Sequence, residues 1–379
     1  MGITQAAVRA ELEQHPTMLT YIQEEPACIR SQAAHAQELA APLVAAAAGV
    51  GWRGMQVVAS GSSANAALCA RPFMEQVLGM DVRVRTPGEF VAEGRVPSPD
   101  ELVVVVSQSG CSTNAIAALD LLHAAGRRTI GITSYPESDF RDHADVLVDY
   151  GCGPEVVGYV TKGMTGLVAF LMIAAVELAC SWGRLTTQEA AGLLSQVEDC
   201  ADANADMLQI AESSYEAWRR DFTSLGVVYA MGYGPALGVC SEAALKLGET
   251  VKVPAFAYEC DEYAHGPNLQ VTPAYSLFFV DDLGRGSART CELCAQSAHV
   301  SAKCFYMGPQ AVDGAYHVPL PQGRPSEALL APLYELPFFQ YVAWRATEEL
   351  GHWEEHPLMR EADRAMDTKT ETISQLMPL

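Results

Sequence analysis

Hydrophobic residues along the chain fall into short runs that alternate with longer segments of helical periodicity. Short apolar runs are typical of strands buried on both faces of a parallel sheet, and residues 102–106 form such a run. The predicted strands are 56–60, 82–85, 102–106, 129–133, 146–150, 227–231, 255–258, 276–280, 303–307 and 316–318. Helical segments separate them, so we predict an α/β protein built from βαβ units.

The alternation of strands and helices occurs twice, which predicts two similar lobes. A strand, a glycine-containing turn and a helix begin near Val57 and again near Val227. Each lobe is expected to be a doubly wound, mostly parallel sheet flanked by helices. The expected organisation is a helical segment at 1–50, lobes at 51–212 and 213–351, and a tail at 352–379 that packs over the site or a partner.

The charge balance narrows the range of partners. The chain has 24 Lys and Arg residues against 46 Asp and Glu residues, a net charge of −22. Nucleic-acid binding depends on clustered basic residues that displace counterions, so no nucleic-acid partner is expected. Any anionic ligand must be held locally by backbone N–H groups and hydroxyls.

The cysteines and apolar segments favour a cytoplasmic protein without a membrane span. The 11 cysteines have no regular spacing, and Cys291 and Cys294 lack a second ligand pair downstream. We therefore expect free thiols, a reducing compartment and no metal. The N-terminus lacks a signal-peptide core, and the most apolar stretch, 164–180, contains Glu177 and predicts a buried helix.

Two turns that follow strands of the first lobe carry closely spaced hydroxyls. They are Ser60-Gly61-Ser62-Ser63-Ala64 and the segment 107–113, Ser-Gln-Ser-Gly-Cys-Ser-Thr. In a parallel sheet such turns lie at the carboxyl ends of strands, where ligands bind, and the following helix N-terminus attracts anions. The alternative is that these hydroxyls are plain helix N-caps. The pair of turns predicts a phosphate site and requires no cofactor.

The second lobe carries charged residues on its first helix and a histidine in a nearby loop. Glu242, Lys246 and Glu249 follow a helical spacing and share one face. They indicate either a solvated, salt-bridged surface or a helix that faces a crevice, where Lys246 holds Glu249 ionised. His265 precedes Gly266-Pro267, which predicts a stiff, exposed loop. A carboxylate base and a histidine acid suit proton transfer next to a carbonyl or imine.

The segments VVVVSQSGCSTNAIAAL and GSSANAAL resemble loops of the sugar isomerase (SIS) family, in particular the isomerase half of glucosamine-6-phosphate synthase. The resemblance covers about residues 56–353 and implies two flavodoxin-like lobes that bind a sugar 6-phosphate. One position differs from the family pattern, because this chain has Cys111 where the synthases usually carry Glu. Gly61, Thr161 and Lys162 would line the pocket. The implied phosphate binders are Ser62, Ser63, Ser107, Gln108, Ser109 and Ser112.

ALKLGE and HGP resemble the ALKLKE and KHGP elements of the synthases and of the fructosamine-6-phosphate deglycases. The resemblance implies that Glu249 is the base and that His265 is an acid supplied by the neighbouring subunit of a homodimer. Lys246 and Glu242 would support them, and Glu262 matches the acidic residue before KHGP. Lys369 would correspond to a reactive tail lysine. The tail lacks the family's Pro-Arg-Asn-Leu signature, so a surface charge remains the alternative.

The reaction depends on where the substrate carries nitrogen. Gly2 stands where the synthases have their glutaminase cysteine, so we expect no glutamine hydrolysis. The preferred hypothesis is a fructosamine 6-phosphate deglycase that releases glucose 6-phosphate and an amine. The alternative is a glucosamine-6-phosphate deaminase/isomerase, which uses the same 1,2-enaminol. A non-catalytic sugar-phosphate sensor is the third possibility.

Overall fold

The structure, a computed structural model, describes residues 5–376, and this part of the chain divides into two compact units. The first unit runs to Glu198 and resumes at Glu355. The second unit comprises Asp199–Glu354. The C-terminal segment after Glu355 therefore belongs with the N-terminal half of the chain.

The first unit contains, in its described part, one parallel sheet of five strands. The strands are β1 (Gly54–Ala59), β2 (Asp81–Arg85), β3 (Glu101–Val106), β4 (Ile130–Thr133) and β5 (Val146–Asp149). Their order across the sheet is β2-β1-β3-β4-β5. Every residue of β1 and all but the first of β3 are buried, as expected for interior strands of a parallel sheet.

Helices pack around this sheet, and one of them forms much of the core. They are α1 (Gln5–Leu12), α2 (Met18–Ala34), α3 (Ala36–Ala46), α4 (Gly61–Leu78), α5 (Pro87–Glu93), α6 (Thr113–Ala124), α7 (Phe140–His143), α8 (Lys162–Ser181) and α9 (Thr187–Ala217), which continues into the second unit. In the described chain, α8 alone is long and apolar enough to cross a membrane. Of its most apolar stretch of 18 residues, 89% is buried inside the protein, as predicted for a core helix.

The second unit repeats the topology of the first. Its strands are β6 (Val228–Gly232), β7 (Ala255–Glu259), β8 (Ser276–Val280), β9 (Lys303–Gly308) and β10 (Tyr316–Pro319). They are all parallel and follow the order β10-β9-β8-β6-β7. Numbered within each unit, both sheets have the order 2-1-3-4-5 of a flavodoxin-like fold. The predicted α/β architecture with two doubly wound lobes is confirmed.

The helices of the second unit surround an aromatic core. They are α10 (Arg219–Phe222), α11 (Pro235–Lys246), α12 (Cys260–Ala264), α13 (Ser287–Ala298) and α14 (Pro332–Leu350), with a π-helical turn at Leu247–Val251 and 3₁₀ turns at Pro267–Gln270 and Ala328–Leu330. The ring of Phe305 stacks on Phe222 and Phe278, with centroid distances of 5.1 and 4.7 Å. Such ring contacts stabilise beyond their buried area.

The chain ends with two short helices, α15 (Pro357–Ala365) and α16 (Ile373–Leu376). Between them, Lys369 forms an isolated antiparallel bridge with Ser112 of the first unit. The Thr370 N–H donates to the Cys111 carbonyl (2.9 Å), and the Thr113 N–H donates to the Thr368 carbonyl (3.2 Å). These bonds attach the tail to the hydroxyl-rich turn after β3.

Candidate functional site

The two hydroxyl-rich turns of the first unit meet at one cavity of about 220 Å³. The cavity lies at the carboxyl ends of β1 and β3, which are neighbours in the sheet although β2 lies between them in the chain. This is the switch point at which open parallel sheets bind ligands. The cavity is lined by Ser60, Gly61, Ser62, Ser63, Val106, Ser107, Gln108, Ser112, Asn114, Ala115, Val160 and Lys369.

Five of the six predicted phosphate binders line this serine cavity. They are Ser62, Ser63, Ser107, Gln108 and Ser112, and Gly61 lines it as well. Ser109 lies just behind the lining, where its hydroxyl accepts from the Cys111 N–H (3.3 Å). The sequence analysis did not single out Ser60, Asn114 or Val160, although Ser60 and Asn114 stand inside the two motifs.

The hydroxyls at the cavity do not act as plain helix caps. Ser60 and Ser112 occupy the N-cap positions of α4 and α6, yet neither side chain caps its helix. Instead, the Ser60 hydroxyl accepts from the Asn114 amide (3.2 Å), and the Ser107 hydroxyl donates to the Ser112 hydroxyl (3.1 Å). Two helix N-termini therefore begin at the cavity without a side-chain cap on their N–H groups. This arrangement favours an anionic ligand.

The turn after β3 requires a glycine at its tightest point. Gly110 has a φ of +64°, and its N–H donates to the Ser107 hydroxyl (3.1 Å). A Cβ atom on Gly110 would lie only 1.8 Å from the Ser138 hydroxyl oxygen. The left-handed backbone and this close approach together exclude larger residues.

Lys369 brings a positive charge to the serine cavity. Its amine donates to the Ser109 hydroxyl (3.1 Å) and to the Ser112 hydroxyl (2.8 Å). Burial lowers the pKa of Lys369, and the neighbouring Cys111 thiol opposes this only in part. A bound phosphate would favour the charged amine, so Lys369 is placed to complete an anion site.

Asp139 anchors the tail that carries Lys369. The hydroxyls of Thr370 and Thr372 both donate to its carboxylate, the latter at 2.8 Å. Burial raises the pKa of Asp139, but these hydrogen bonds outweigh burial and leave its pKa below the ordinary value. The ionised carboxylate therefore holds the tail against the first unit.

Thr161 and Lys162, predicted at the pocket edge, lie at the start of α8 and are not among the residues that line the serine cavity. The Thr161 N–H donates to the buried Glu155 carboxylate (2.6 Å). The Lys162 amine donates to Glu24 (2.6 Å) and lies over the Tyr21 ring. Lys162 thus joins α8 to the N-terminal helices.

The second unit contains a buried ionic triad at the end of α11. The Lys246 amine lies 3.3 Å from Glu242 and 2.5 Å from Glu249. The side chains of Lys246 and Glu242 are 1% exposed, whereas that of Glu249 is 30% exposed. The salt-bridged face is therefore not a solvated surface. It is an interior cluster from which Glu249 alone reaches solvent.

The protonation of this triad follows from burial and pairing. Burial lowers the pKa of Lys246, but the two carboxylates outweigh it, so the pKa of the amine is raised. Burial raises the pKa of Glu249, and the charge of Lys246 opposes that shift only in part. A carboxylate with a raised pKa is a better proton acceptor than an ordinary glutamate.

A widened helical turn presents Glu249. The helix changes from α to π geometry after Lys246, over Leu247–Val251. The Thr250 hydroxyl donates back to the Lys246 carbonyl (2.8 Å), and Lys252 ends the turn with a φ of +63°. π-helical turns occur often at functional sites. Within this turn, Glu249 pairs with Lys246 at i+3.

His265 lies on an exposed loop, as the Gly-Pro that follows it predicted. Its N–H donates to the Glu262 carbonyl (3.1 Å) at the end of α12, and Gly266 has a φ of +150°. Glu262 is also exposed, and its N–H donates to the Glu259 carboxylate (2.8 Å). Neighbouring Asp261 pairs with Arg289 (3.0 Å).

Within residues 5–376, no group of three or more His, Cys, Asp or Glu side chains could hold a metal ion. The described cysteines are all free, including Cys291 and Cys294. The hydroxyls, N–H groups and Lys369 of the first cluster can bind an anion, and the Glu249 carboxylate of the second can accept a proton.

A family model for the SIS domain matches residues 51–176. This part of the chain, which contains both serine turns, is therefore an SIS domain, as its motifs indicated. The glutamine–fructose-6-phosphate aminotransferase of Aeropyrum pernix is 26% identical over 351 residues, which cover 90% of this chain and 55% of that protein. The chain spans about half the length of such relatives, or less.

Solved structures share the fold of most of the chain. The C-terminal domain of glucosamine-fructose-6-phosphate aminotransferase from Francisella tularensis has a TM-score of 0.77 at 19% identity, with 90% of this chain and 98% of that chain covered. Glucosamine-6-phosphate deaminase from Thermotoga maritima has a TM-score of 0.66 at 20% identity, with coverages of 87% and 95%. At these identities the likeness establishes the fold.

Proposed function

We propose that this protein is a cytoplasmic phosphosugar enzyme that acts on amino-sugar 6-phosphates and, more specifically, a fructosamine 6-phosphate deglycase. The observation that carries the proposal is the triad of Glu242, Lys246 and Glu249, in which a partly exposed carboxylate with a raised pKa is held by a buried lysine. A solvated ion pair would need neither the burial nor the widened turn. The similarity to aminotransferases that use fructose 6-phosphate supports the choice of substrate class.

In this proposal the serine cavity binds the phosphate of the substrate. The hydroxyls of Ser62 and Ser112, with the helix N-termini behind them, donate hydrogen bonds to its oxygens, while the Ser107 hydroxyl donates to Ser112. Among the described residues that line this cavity, Lys369 supplies the positive charge. Neutral donors and a single cation suit a chain with a net charge of −22.

Glu249 then moves a proton between the first two sugar carbons. With nitrogen on the first carbon, the carboxylate removes a proton from that carbon, and the electron pair forms a 1,2-enaminol as the second carbon's oxygen is protonated. Return of the proton to the second carbon leaves an imine at the first. Water adds to this imine and releases the amine, which leaves glucose 6-phosphate. Protonation of the oxygen is assigned to His265.

We infer that His265 acts across a homodimer interface, because it lies on an exposed loop in the single chain. Mixing Glu249→Gln and His265→Gln proteins tests this inference. If each site takes its glutamate and histidine from different subunits, random mixed dimers contain one intact site each, and about a quarter of wild-type activity returns. If both residues come from one subunit, no activity returns.

The principal test is Glu249→Gln, which keeps the size of the side chain and removes the base. We expect kcat with a fructosamine 6-phosphate to fall by about 10³-fold, while the affinity for glucose 6-phosphate changes less than about twofold. Glu354→Gln, which changes an exposed carboxylate of the same unit, should leave both quantities unchanged. Wild-type activity in Glu249→Gln would overturn the assignment of the base. If no substrate turns over and the variant binds sugar phosphate normally, the protein is a sensor.

A substrate panel separates the deglycase from its alternative. Fructosamine 6-phosphates should yield glucose 6-phosphate and the free amine, and glucosamine 6-phosphate should yield fructose 6-phosphate and ammonia. The second reaction proceeds through the same enaminol, and the fold shared with a glucosamine-6-phosphate deaminase is the observation that favours it. Release of ammonia from glucosamine 6-phosphate alone would make the deaminase/isomerase the function.

A further inference from the structure

A second cavity of the first unit contains an unusual concentration of arginines. It has a volume of about 530 Å³ and shares no lining residue with the serine cavity. We call it the arginine cavity. It is lined by Gln56, Arg83, Arg85, Glu93, Arg95, Val96, Pro97, Ser98 and Glu101. Its volume lies within the range of small-molecule sites.

The register of the sheet explains how polar side chains come together here. Gln56 of β1 pairs with Arg83 of β2, and two residues earlier Gly54 pairs with Glu101 of β3. Side chains at paired positions of a parallel sheet point to the same face. Further along this face, Val58 and Val103 belong to the core. The polar group therefore interrupts a sheet face that is otherwise apolar.

The charges at the arginine cavity are only partly neutralised. Arg83 lies 3.7 Å from Glu101 and is 65% exposed. Arg85 lies 2.7 Å from Glu93 and stacks over the Phe90 ring. Arg95 adds a third guanidinium group, so three cations face two carboxylates in a chain whose net charge is −22. This local excess of positive charge favours an anion.

Gln56 supplies an observation that is independent of charge. It is 3% exposed and its side-chain amide donates to Glu101 (3.2 Å), but its side-chain carbonyl oxygen is buried without a hydrogen-bond partner. Buried polar atoms of native proteins are nearly always paired, because an unpaired one is destabilising. A ligand with an O–H or N–H donor would satisfy this oxygen.

The wall of the cavity is rigid before any ligand binds. The Arg127 guanidinium donates to the carbonyls of Pro97 (2.6 Å), Ser98 (2.9 Å) and Glu101 (2.8 Å). The Ser98 N–H also donates to the Glu101 carboxylate (3.1 Å). These bonds fix the loop that precedes β3, and a preformed site loses little conformational entropy on binding.

We propose that the arginine cavity is a second ligand site, which binds a small phosphorylated molecule that also carries hydroxyl groups. The arginines bind the phosphate, and a hydroxyl donates to the Gln56 carbonyl. Because the site is separate from the serine cavity, its ligand would act as an effector of the first unit. The proposal is independent of the reaction assigned above.

Equilibrium dialysis with radiolabelled glucose 6-phosphate tests the proposal by counting bound molecules per chain. The wild-type protein should bind two. The double variant Arg83→Gln/Arg95→Gln should bind one molecule. Loss of each guanidinium group should lower the affinity for glucose 6-phosphate at the arginine cavity by about tenfold. Ser107→Ala/Lys369→Met should also bind one, at the arginine cavity. Combining all four substitutions should abolish binding.

Arg128→Gln is the matched control, because it removes an exposed arginine of the same unit. It should retain both molecules of glucose 6-phosphate. Thermal unfolding of each variant shows whether the fold is intact. If the wild-type protein binds one molecule and Ser107→Ala/Lys369→Met binds none, the arginine cavity is not a site for this ligand class and the proposal fails.

Discussion

The two units share one topology but place different chemistry at corresponding positions. In the first unit the turns after β1 and β3 consist of serines, Gln108 and glycines, and they enclose an open cavity. In the second unit the turns after β6 and β8 contain Tyr233 and the acidic pair Asp281-Asp282. The fold thus provides the same crevice twice, and the turn residues decide whether an anion can enter.

In the second unit, side chains occupy the space between the turns after β6 and β8. The Tyr233 ring packs so closely against Gly286 that a Cβ atom there would lie 2.4 Å from it. The Tyr233 hydroxyl donates to Asp261 (2.7 Å). Asp281 is fully buried, and its carboxylate accepts from Ser287 (2.6 Å) and from the Leu283 N–H (2.7 Å). A carboxylate at this point disfavours a phosphate between these two turns.

The helices that follow these turns also differ, but here the second unit carries the charged residues on the buried face and the first unit does not. The buried face of α4 in the first unit is apolar and includes Phe73 and Met74. The buried face of α11 in the second unit includes Glu242 and Lys246. Burying an ion pair is often no more favourable than burying apolar groups of the same size, so the triad is weak evidence for a stabilising role. The proposed function assigns anion binding to the first unit and the base to the second.

The largest effect is expected for Lys246→Met. Methionine fills a similar volume, but it leaves Glu242 buried without a counter-ion, and removing one partner of a buried ion pair costs about 3–5 kcal/mol. We expect the free energy of unfolding, measured with urea, to fall by that amount. We also expect Glu249 to lose the charge that keeps its pKa from rising further, so the remaining activity should shift to higher pH.

A double variant separates stability from catalysis in this triad. Glu242→Gln/Lys246→Met removes both buried charges and should recover about half or more of the lost stability without recovering activity. The corresponding change in the other unit, Met74→Leu on α4, should cost less than about 1.5 kcal/mol. If Lys246→Met were no less stable than wild type, the triad would be solvated and the contrast between the units would be wrong.

Gly110→Ala should have the next largest effect. Alanine at a φ of +64° is strained by about 1–2 kcal/mol, and its Cβ would clash with Ser138, which adds about 1–3 kcal/mol. Glucose 6-phosphate binding at the serine cavity should be lost because the turn after β3 must shift. Gly234→Ala in the second unit is the matched control. It has a φ of +51° and open space around it, so we expect the strain alone and unchanged binding.

The sequence predicted the sheets well because most of the strands are apolar runs and each turn carries its own signal. Ser60 and Asn114 stood inside recognised motifs, but their hydrogen bond across two turns depends on the order of the strands. The contact of Lys369 with Ser112 spans 257 residues, and no local pattern encodes it. The arginine cavity is likewise a product of register between β1, β2 and β3.

Lys369→Met tests how much the Lys369 amine contributes to anion binding at the serine cavity of the first unit. A charged hydrogen bond contributes about 1.5–3 kcal/mol, so affinity for glucose 6-phosphate at the serine cavity should fall by about 10- to 100-fold. Stability should change little, because the tail remains anchored through Asp139. Lys303→Met removes an amine of the second unit that contacts Ser224, and it should leave affinity unchanged. Equal losses in both variants would show a general charge effect.

The smallest expected effect is a dependence of stability on alkaline pH that Lys369 creates. Its pKa is lowered in the folded protein, so between that lowered value and about 10.4 the unfolded chain binds more protons than the folded chain. Stability therefore rises with pH across this window. Urea unfolding of wild type and Lys369→Met should show the difference growing in favour of wild type as the pH rises through this window. Saturating glucose 6-phosphate should remove the rise, because a bound phosphate keeps the amine protonated. A difference that stays flat without ligand would place the amine in solvent and leave the serine cavity with neutral donors alone.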